Sequence, residues 1–147
     1  MRKYIFIAAC GMLGAVLRCA IKNIHVWNYH GSIPLNTLFV NITGSFLLAL
    51  LLTVAFEVWN FDSDIRLGIA TGFLGAYTTF STLCKETVKL ITCGQYFSAI
   101  SYIAVSVILG LTSAYIGIIL ARKNISRFIG NKKEEDLANV IEQGEVK

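Results

Sequence analysis

Residues 71–84 read TGFLGAYTTFSTLC. The run carries no charge, so a bilayer would accept it, yet it has glycine and hydroxyl side chains where a plain anchor would have leucine. Inside hydrocarbon a backbone leaves the helical pattern only where protein or a water-filled cavity satisfies the freed N–H and C=O groups. Interrupted segments of this kind commonly build the sites of transporters and channels. This stretch is therefore the first candidate for function.

Its surroundings set the class. The chain has 147 residues, 55% hydrophobic and 15% charged, with one proline. Soluble domains carry about 25% charged residues. Uncharged runs cover residues 4–17, with the apolar pattern resuming past Arg18 as far as Ile21, then 33–56, 67–84 and 90–121. A spanning helix needs about 17–25 residues, so the last run holds one helix and an interfacial lead-in. The expectation is an all-α membrane protein with four transmembrane helices, at about residues 4–22, 33–56, 67–90 and 96–121. These form one channel-like domain over 1–122, followed by a charged cytoplasmic tail over 123–147 that turns from basic to acidic at Glu134. The tail reads as soluble and partly disordered.

Several functions are excluded early. Arg2 and Lys3 before an apolar run imitate a secretory signal, and residues 7–10 resemble a lipoprotein cleavage box. The apolar stretch before Cys10 is shorter than the roughly 7–15 residues such a signal requires, and the pattern continues beyond it. Cys10, Cys19, Cys84 and Cys93 show no metal-type spacing. His25 and His30 share one loop without acidic or cysteine neighbours, so no enzyme constellation and no histidine metal site is expected. Basic residues flank helices rather than forming one soluble face, which argues against nucleic acid. Trp27 and Tyr29 in the first connection, and Trp59 and Phe61 beside Asp62 and Asp64, are residue types that anchor at the lipid interface. Arg122, Lys123, Arg127, Lys132 and Lys133 put the C-terminus in the cytoplasm, and four spans put the N-terminus there too. Arg18, Lys22, Lys85 and Lys89 weaken that bias within the bundle, so the tail decides it.

Polar residues inside the spans carry the chemistry. Thr37, Asn41, Gly44, Ser45 and Leu48 share one stripe of helix two, since positions three and four apart lie on one face. Two readings stand for Asn41. It is interhelical glue worth about 1 kcal/mol, or its amide N–H groups face a permeating anion. Ser98, Tyr102, Ser106 and Gly110 recur every four residues on helix four, a row that drifts slowly enough to line a narrow track. Close helix packing through Gly110, Ser113, Ala114 and Gly117 is the alternative. Helix three supplies Thr78, Thr79, Phe80, Ser81 and Thr82, with no acidic side chain to hold a cation. An aromatic ring is positive at its edge, so Phe80 offers an anion a weakly attractive rim, although ordinary packing is the stronger reading of the residue taken singly. Arg18 near the end of helix one either snorkels to the interface or makes an electropositive vestibule. Glu86 is flanked by Lys85 and Lys89; a neighbouring positive charge lowers the cost of a functional carboxylate there, and local pairing without function is the equal alternative.

Three ordered pieces resemble the CrcB/Fluc family of bacterial fluoride channels. They are Gly11-x-x-Gly14-Ala15-x-x-Arg18, Asn36-Thr37-Leu38-x-Val40-Asn41-x-x-Gly44-Ser45-Phe46, and Thr71-Gly72-Phe73-x-Gly75-x-x-Thr78-Thr79-Phe80-Ser81-Thr82 followed by Glu86. The first alone is weak, whereas the ordered set is specific and covers about residues 3–122. The resemblance implies an antiparallel, dual-topology dimer of four-helix subunits, with helix three broken at mid-membrane and two pores along the dimer interface. It implies that Asn41, Phe80, Tyr102 and Ser106 line the pore, with Arg18 in the vestibule. It further implies a structural sodium ion (Na+) on the dimer axis, held by backbone carbonyls of Gly75 and Thr78. The activity implied is passive fluoride export across the inner membrane by a multi-pass protein. The residues agree: a pore must replace the water of a small, strongly hydrated anion with close donors, and hydroxyls such as Thr79, Ser81 and Thr82 do so without a full positive charge.

Two departures stand out. Leu83 occupies the place of the family's usual second phenylalanine, and Gly110 replaces a polar-track serine. Both a homodimer and a heterodimer with an oppositely inserted paralogous subunit are compatible with them. Two other functions compete. A small proton-coupled multidrug exporter needs a titratable carboxylate within a span, and helices one and two have none before Glu57. A non-transporting membrane assembly subunit needs only the glycines and serines, and does not account for Asn41 together with residues 78–82.

Overall fold

A computed structural model describes the backbone of residues 2–23, 33–57 and 63–144, and the side chains of 3–23, 33–56 and 64–124. The interfacial aromatic residues Trp27, Tyr29, Trp59 and Phe61, and both histidines, lie outside the described residues.

The described chain is helical, without strands. Helix α1 is Arg2–Asn23 and α2 is Leu35–Glu57. At 1.5 Å per residue each is long enough for a hydrocarbon core of about 30 Å. Pro34 sets the start of α2, where its missing N–H costs nothing, and its carbonyl accepts the Leu38 N–H at 3.3 Å. The path continues through α3 (Ser63–Leu67), a π-helical segment (Gly68–Leu74), the single turn α4 (Gly75–Tyr77) and α5 (Phe80–Thr92). Helix α6 is Tyr96–Gly144.

Among the described residues, helices α1, α2 and the first part of α6 (residues 96–124) are the three long and apolar enough to cross a membrane. Large apolar side chains crowd their outer faces, among them Ile5, Met12 and Val16 on α1 and Ile100, Leu111 and Tyr115 on α6. Such a continuous apolar exterior suits lipid and not water, so the chain is a membrane protein. The expected third span, 67–90, is divided: the helix ends at Tyr77, and Thr78 and Thr79 are extended (φ −73°, ψ 156° and φ −149°, ψ 112°) before α5 begins.

Residue choice explains the local shape. Thr79 caps α5, its hydroxyl accepting the Thr82 N–H at 3.2 Å, the usual partner of an N-cap threonine. At the far end Gly94, with φ 74°, donates to the Ile91 carbonyl while Gln95 donates to Leu90, both at 2.9 Å. These are the paired bonds of a Schellman stop, and only glycine adopts that left-handed backbone without strain. Helix α6 continues without interruption to Gly144, where a partly disordered tail was expected. Its sequence beyond Arg122 has no proline and carries four lysines and four glutamates, residue types that favour helix.

Packing places α1 along the π-helical segment and α4, α2 along α6, and α5 against α6. Leu38, Leu90, Ala99 and Tyr102 form one buried cluster, with Leu83 packed against it; Val40, Leu74 and Tyr77 form the other. Ser113 donates its hydroxyl to the Ile42 carbonyl of α2 at 2.6 Å, and a side chain at Gly117 would meet the Phe46 carbonyl at 2.7 Å. The expected small-residue face of α6 is thus real, and its partner is α2.

Candidate functional site

The extended pair Thr78–Thr79 is held by α2. Asn41 Oδ1 accepts the Thr79 N–H at 2.8 Å and Asn41 Nδ2 donates to the Thr79 carbonyl at 3.1 Å. In an unbroken helix that N–H would go to the Gly75 carbonyl. One turn further along α2, Gly44 leaves the room that Thr78 occupies, since a Cβ there would run into the threonine methyl. Thr43 and Tyr77 share a hydroxyl–hydroxyl bond of 2.9 Å beside them. A backbone departure in an apolar setting thus has its polar groups met by side chains of the neighbouring helix.

A hydroxyl cluster sits where α5 restarts. Thr79 Oγ1 lies 2.9 Å from Thr82 Oγ1 and 3.3 Å from Ser81 Oγ. Thr79 is buried, Thr82 half-buried, Ser81 exposed, and Phe80 is 79% exposed. The first turn of α5 thus turns a phenyl ring and a serine away from the body of the chain. The start of a helix also gathers unpaired N–H groups and partial positive charge, which favours an anion.

A second polar layer lies one turn further along. Glu86 Oε1 accepts the Thr37 hydroxyl at 2.9 Å and Glu86 Oε2 accepts the Tyr102 hydroxyl at 2.9 Å. Lys22 Nζ stands 3.8 Å from Oε1. The local partners expected from sequence, Lys85 and Lys89, are not those the fold supplies. Tyr102 is fully buried, and Ser106 donates its hydroxyl to the Tyr102 carbonyl at 2.7 Å. An open cleft of about 430 Å³, lined by Pro34, Glu86, Lys89, Leu90, Cys93 and Gln95, reaches the carboxylate from the surface.

The two layers stack. Thr37 and Asn41 are one turn apart on α2, as are Thr82 and Glu86 on α5 and Tyr102 and Ser106 on α6. Thr37 and Tyr102 meet at Glu86, and Ser45 stands 3.9 Å from the side-chain position of Gly110. Asn41, Thr79 and Thr82 form one group and Thr37, Glu86 and Tyr102 the next, one turn away along α2 and α5, so the two make one polar column with Ser81 and Phe80 at its outward face. Arg18 stands half-buried on α1, one turn before Lys22; Gly75 is exposed and Thr78 half-buried at the far side of the break. Sequence reasoning did not assign Thr37, Glu86 and Lys22 to a common site. The four-residue pairs Thr37/Asn41 and Thr82/Glu86 were the available signal.

Comparison with known proteins identifies the family. The family model described as CrcB-like protein, Camphor Resistance (CrcB), matches residues 5–118. The chain is 38% identical over 123 residues to a protein of Sulfurihydrogenibium sp. (strain YO3AOP1) named Fluoride-specific ion channel FluC, which covers 83% of this chain and 98% of that one. It is 39% identical over 117 residues to a protein of the same name from Dehalococcoides mccartyi (strain CBDB1), covering 80% of this chain and 90% of the relative. A Bacillus anthracis protein named Fluoride-specific ion channel FluC 1 is 41% identical over 120 residues, covering 80% and 87%. The match takes in α1, the extended pair with its Asn41 clamp, and the Glu86 layer, so the chain belongs to the CrcB family.

Proposed function

We propose that the chain is a fluoride-specific channel subunit that lets fluoride leave the cytoplasm passively, lowering its toxicity. The observation that carries this reading is the 38–41% identity to relatives named fluoride-specific ion channels. The polar column supports it chemically. It offers hydroxyls, an amide, a helix start and a ring edge, donors that replace hydration without binding the ion too tightly to release it.

The assembly is an antiparallel dimer of four-span subunits in the inner membrane, with residues 63–92 as the third span, interrupted at mid-membrane by Thr78–Thr79. Phe80 and Ser81 support a dimer because they face outward, where a second subunit would complete a pore. Asn41, Thr79, Ser81, Thr82, Phe80, Tyr102 and Ser106 contribute to the ion path, and Arg18 draws anions toward its mouth. A structural sodium ion on the dimer axis is held by the carbonyls of Gly75 and Thr78. The residues suit it: Gly75 is exposed and its usual helical donor, the Thr79 N–H, is taken by Asn41. Carbonyl oxygens are the donors a hard cation accepts.

Leu83 packs within the subunit's own core and Gly110 faces Ser45, so neither departure from the family pattern empties an outward position. This favours a homodimer, while the one-sided charge of the tail favours a paralogous partner inserted the other way. The test is a fluoride-electrode trace from liposomes holding the purified chain alone, with equal pH on both sides. Fluoride efflux well above that of chloride supports the channel. Efflux only with a proton gradient supports a coupled exporter, for which Glu86 is the available carboxylate. No flux from the chain alone, restored by a paralogous subunit, identifies the heterodimer.

A further inference from the structure

We propose that Lys22 is the counter-charge that makes the Glu86 carboxylate compatible with anion passage, a positioning role exerted from α1 on α5. The proposal rests on the fluoride-channel reading above. Glu86 is met from every side. Lys22 comes from α1, Thr37 from α2 and Tyr102 from α6, while Lys85 and Lys89 are its neighbours on α5. The two hydroxyls satisfy its oxygens but bring no positive charge. Lys22, at 3.8 Å, makes the ion pair that Glu86 has among the described residues, and Lys89 only lines the same cleft. The Lys22 side chain is 44% exposed and that of Glu86 is 19% exposed, so the pair sits where solvent meets the interior. Its position is fixed rather than accidental, because Asn36 Nδ2 donates to the Lys22 carbonyl at 3.2 Å and ties the last turn of α1 to the first turn of α2.

A lone carboxylate beside an anion route repels the ion, and a partly buried charge is screened little by salt. With Lys22 in place the pair is neutral, and the hydroxyls it orients present no net negative charge. Replacing Lys22 by methionine keeps the stem and removes the charge. Neutralising the carboxylate by Glu86→Gln then has something to repair, since it abolishes the repulsion.

The experiment uses the full chain in liposomes, with a fluoride electrode and protein-free vesicles as the control for HF leak. All rates are read at one neutral pH, equal on both sides. Lys22→Met is expected to be about tenfold slower than wild type, equivalent to about 1.4 kcal/mol. Lys22→Arg should restore the wild-type rate, and adding Glu86→Gln to Lys22→Met should recover most of the lost rate. If Lys22→Met does not insert, Lys22→Gln carries the same expectations; failure of both to insert makes the pair structural and overturns the proposal. A conducting wild type whose Lys22→Met variant matches it, or stays slow when Glu86→Gln is added, defeats this proposal alone. A wild type that passes no fluoride defeats the function reading as well.

Discussion

Asn41 grips both ends of the Thr79 peptide environment: its Oδ1 accepts the Thr79 N–H at 2.8 Å and its Nδ2 donates to the Thr79 carbonyl at 3.1 Å. The two readings open from sequence, interhelical glue and anion contact, are not alternatives in this geometry. An amide nitrogen has two N–H groups, and the clamp uses one. Asn41→Ala strands a backbone donor and an acceptor, each costing about 1–3 kcal/mol when unsatisfied. The variant is expected to lose fluoride efflux and also to melt at a lower temperature in detergent. Asn41→Asp keeps the acceptor for the Thr79 N–H, so it should melt between the two while still failing to conduct. Efflux at the wild-type rate from Asn41→Ala would remove Asn41 from the ion path.

The legible and illegible parts of this structure divide along a physical line. Local composition marked residues 71–84 as an interrupted helix, because glycine, Thr78 and Thr79 are poor helix formers that need outside partners in lipid. It also located α1, α2 and α6, because length and hydropathy suffice for a spanning helix. The Glu86 layer was not legible. Thr37 and Glu86 are 49 residues apart, and Tyr102 lies 16 beyond Glu86. A helical stripe says which residues share a face but not which face meets another helix. Near sequence neighbours, Lys85 and Lys89, therefore drew the assignment that belongs to Lys22. In the tail, the switch from basic to acidic charge suggested a soluble appendage, and the backbone there is helical through Gly144.

Gly14 and Gly11 offer a paired test of how closely α1 approaches the π-helical segment. A Cβ at Gly14 would collide with the Phe73 carbonyl, while one at Gly11 would lie 3.7 Å from the Gly72 carbonyl, an ordinary contact. Backbone atoms cannot swing aside as a side-chain end can. Gly14→Ala is expected to destabilise by about 1–3 kcal/mol through overpacking, and Gly11→Ala to be tolerated. Yield of monodisperse protein and its melting temperature decide it. Equal behaviour of the two variants would mean that α1 does not dock on residues 68–74 as described.

The Glu86 layer makes a coupling prediction. Thr37 and Tyr102 hold different oxygens of one carboxylate. Removing either hydroxyl leaves the other to orient the group; removing both leaves only Lys22. Thr37→Val and Tyr102→Phe should each slow efflux, and the double variant should depart from additivity by about 0.5–3 kcal/mol. The quantity to compare is the electrode rate for all four proteins at one fluoride concentration. Strict additivity would show that the two hydroxyls act independently of Glu86.

Phe80 separates a pore role from a packing role most sharply, because it is 79% exposed within the subunit. Truncating so exposed a side chain removes little from the subunit's own core, and surface substitutions usually stay within about 0.5 kcal/mol. Its neighbours are the start of α5 and the hydroxyls of Thr79, Ser81 and Thr82, not an apolar cluster. Phe80→Ala is therefore expected to keep the monomer's fold and helicity while reducing efflux by at least about tenfold, or about 1.4 kcal/mol in barrier. Phe80→Leu distinguishes the cause. Leucine restores apolar bulk at a partner surface but has no positive ring edge, so a ring-edge role leaves it as inactive as alanine. If leucine restores efflux, Phe80 serves the subunit contact and the ring edge takes no part in conduction.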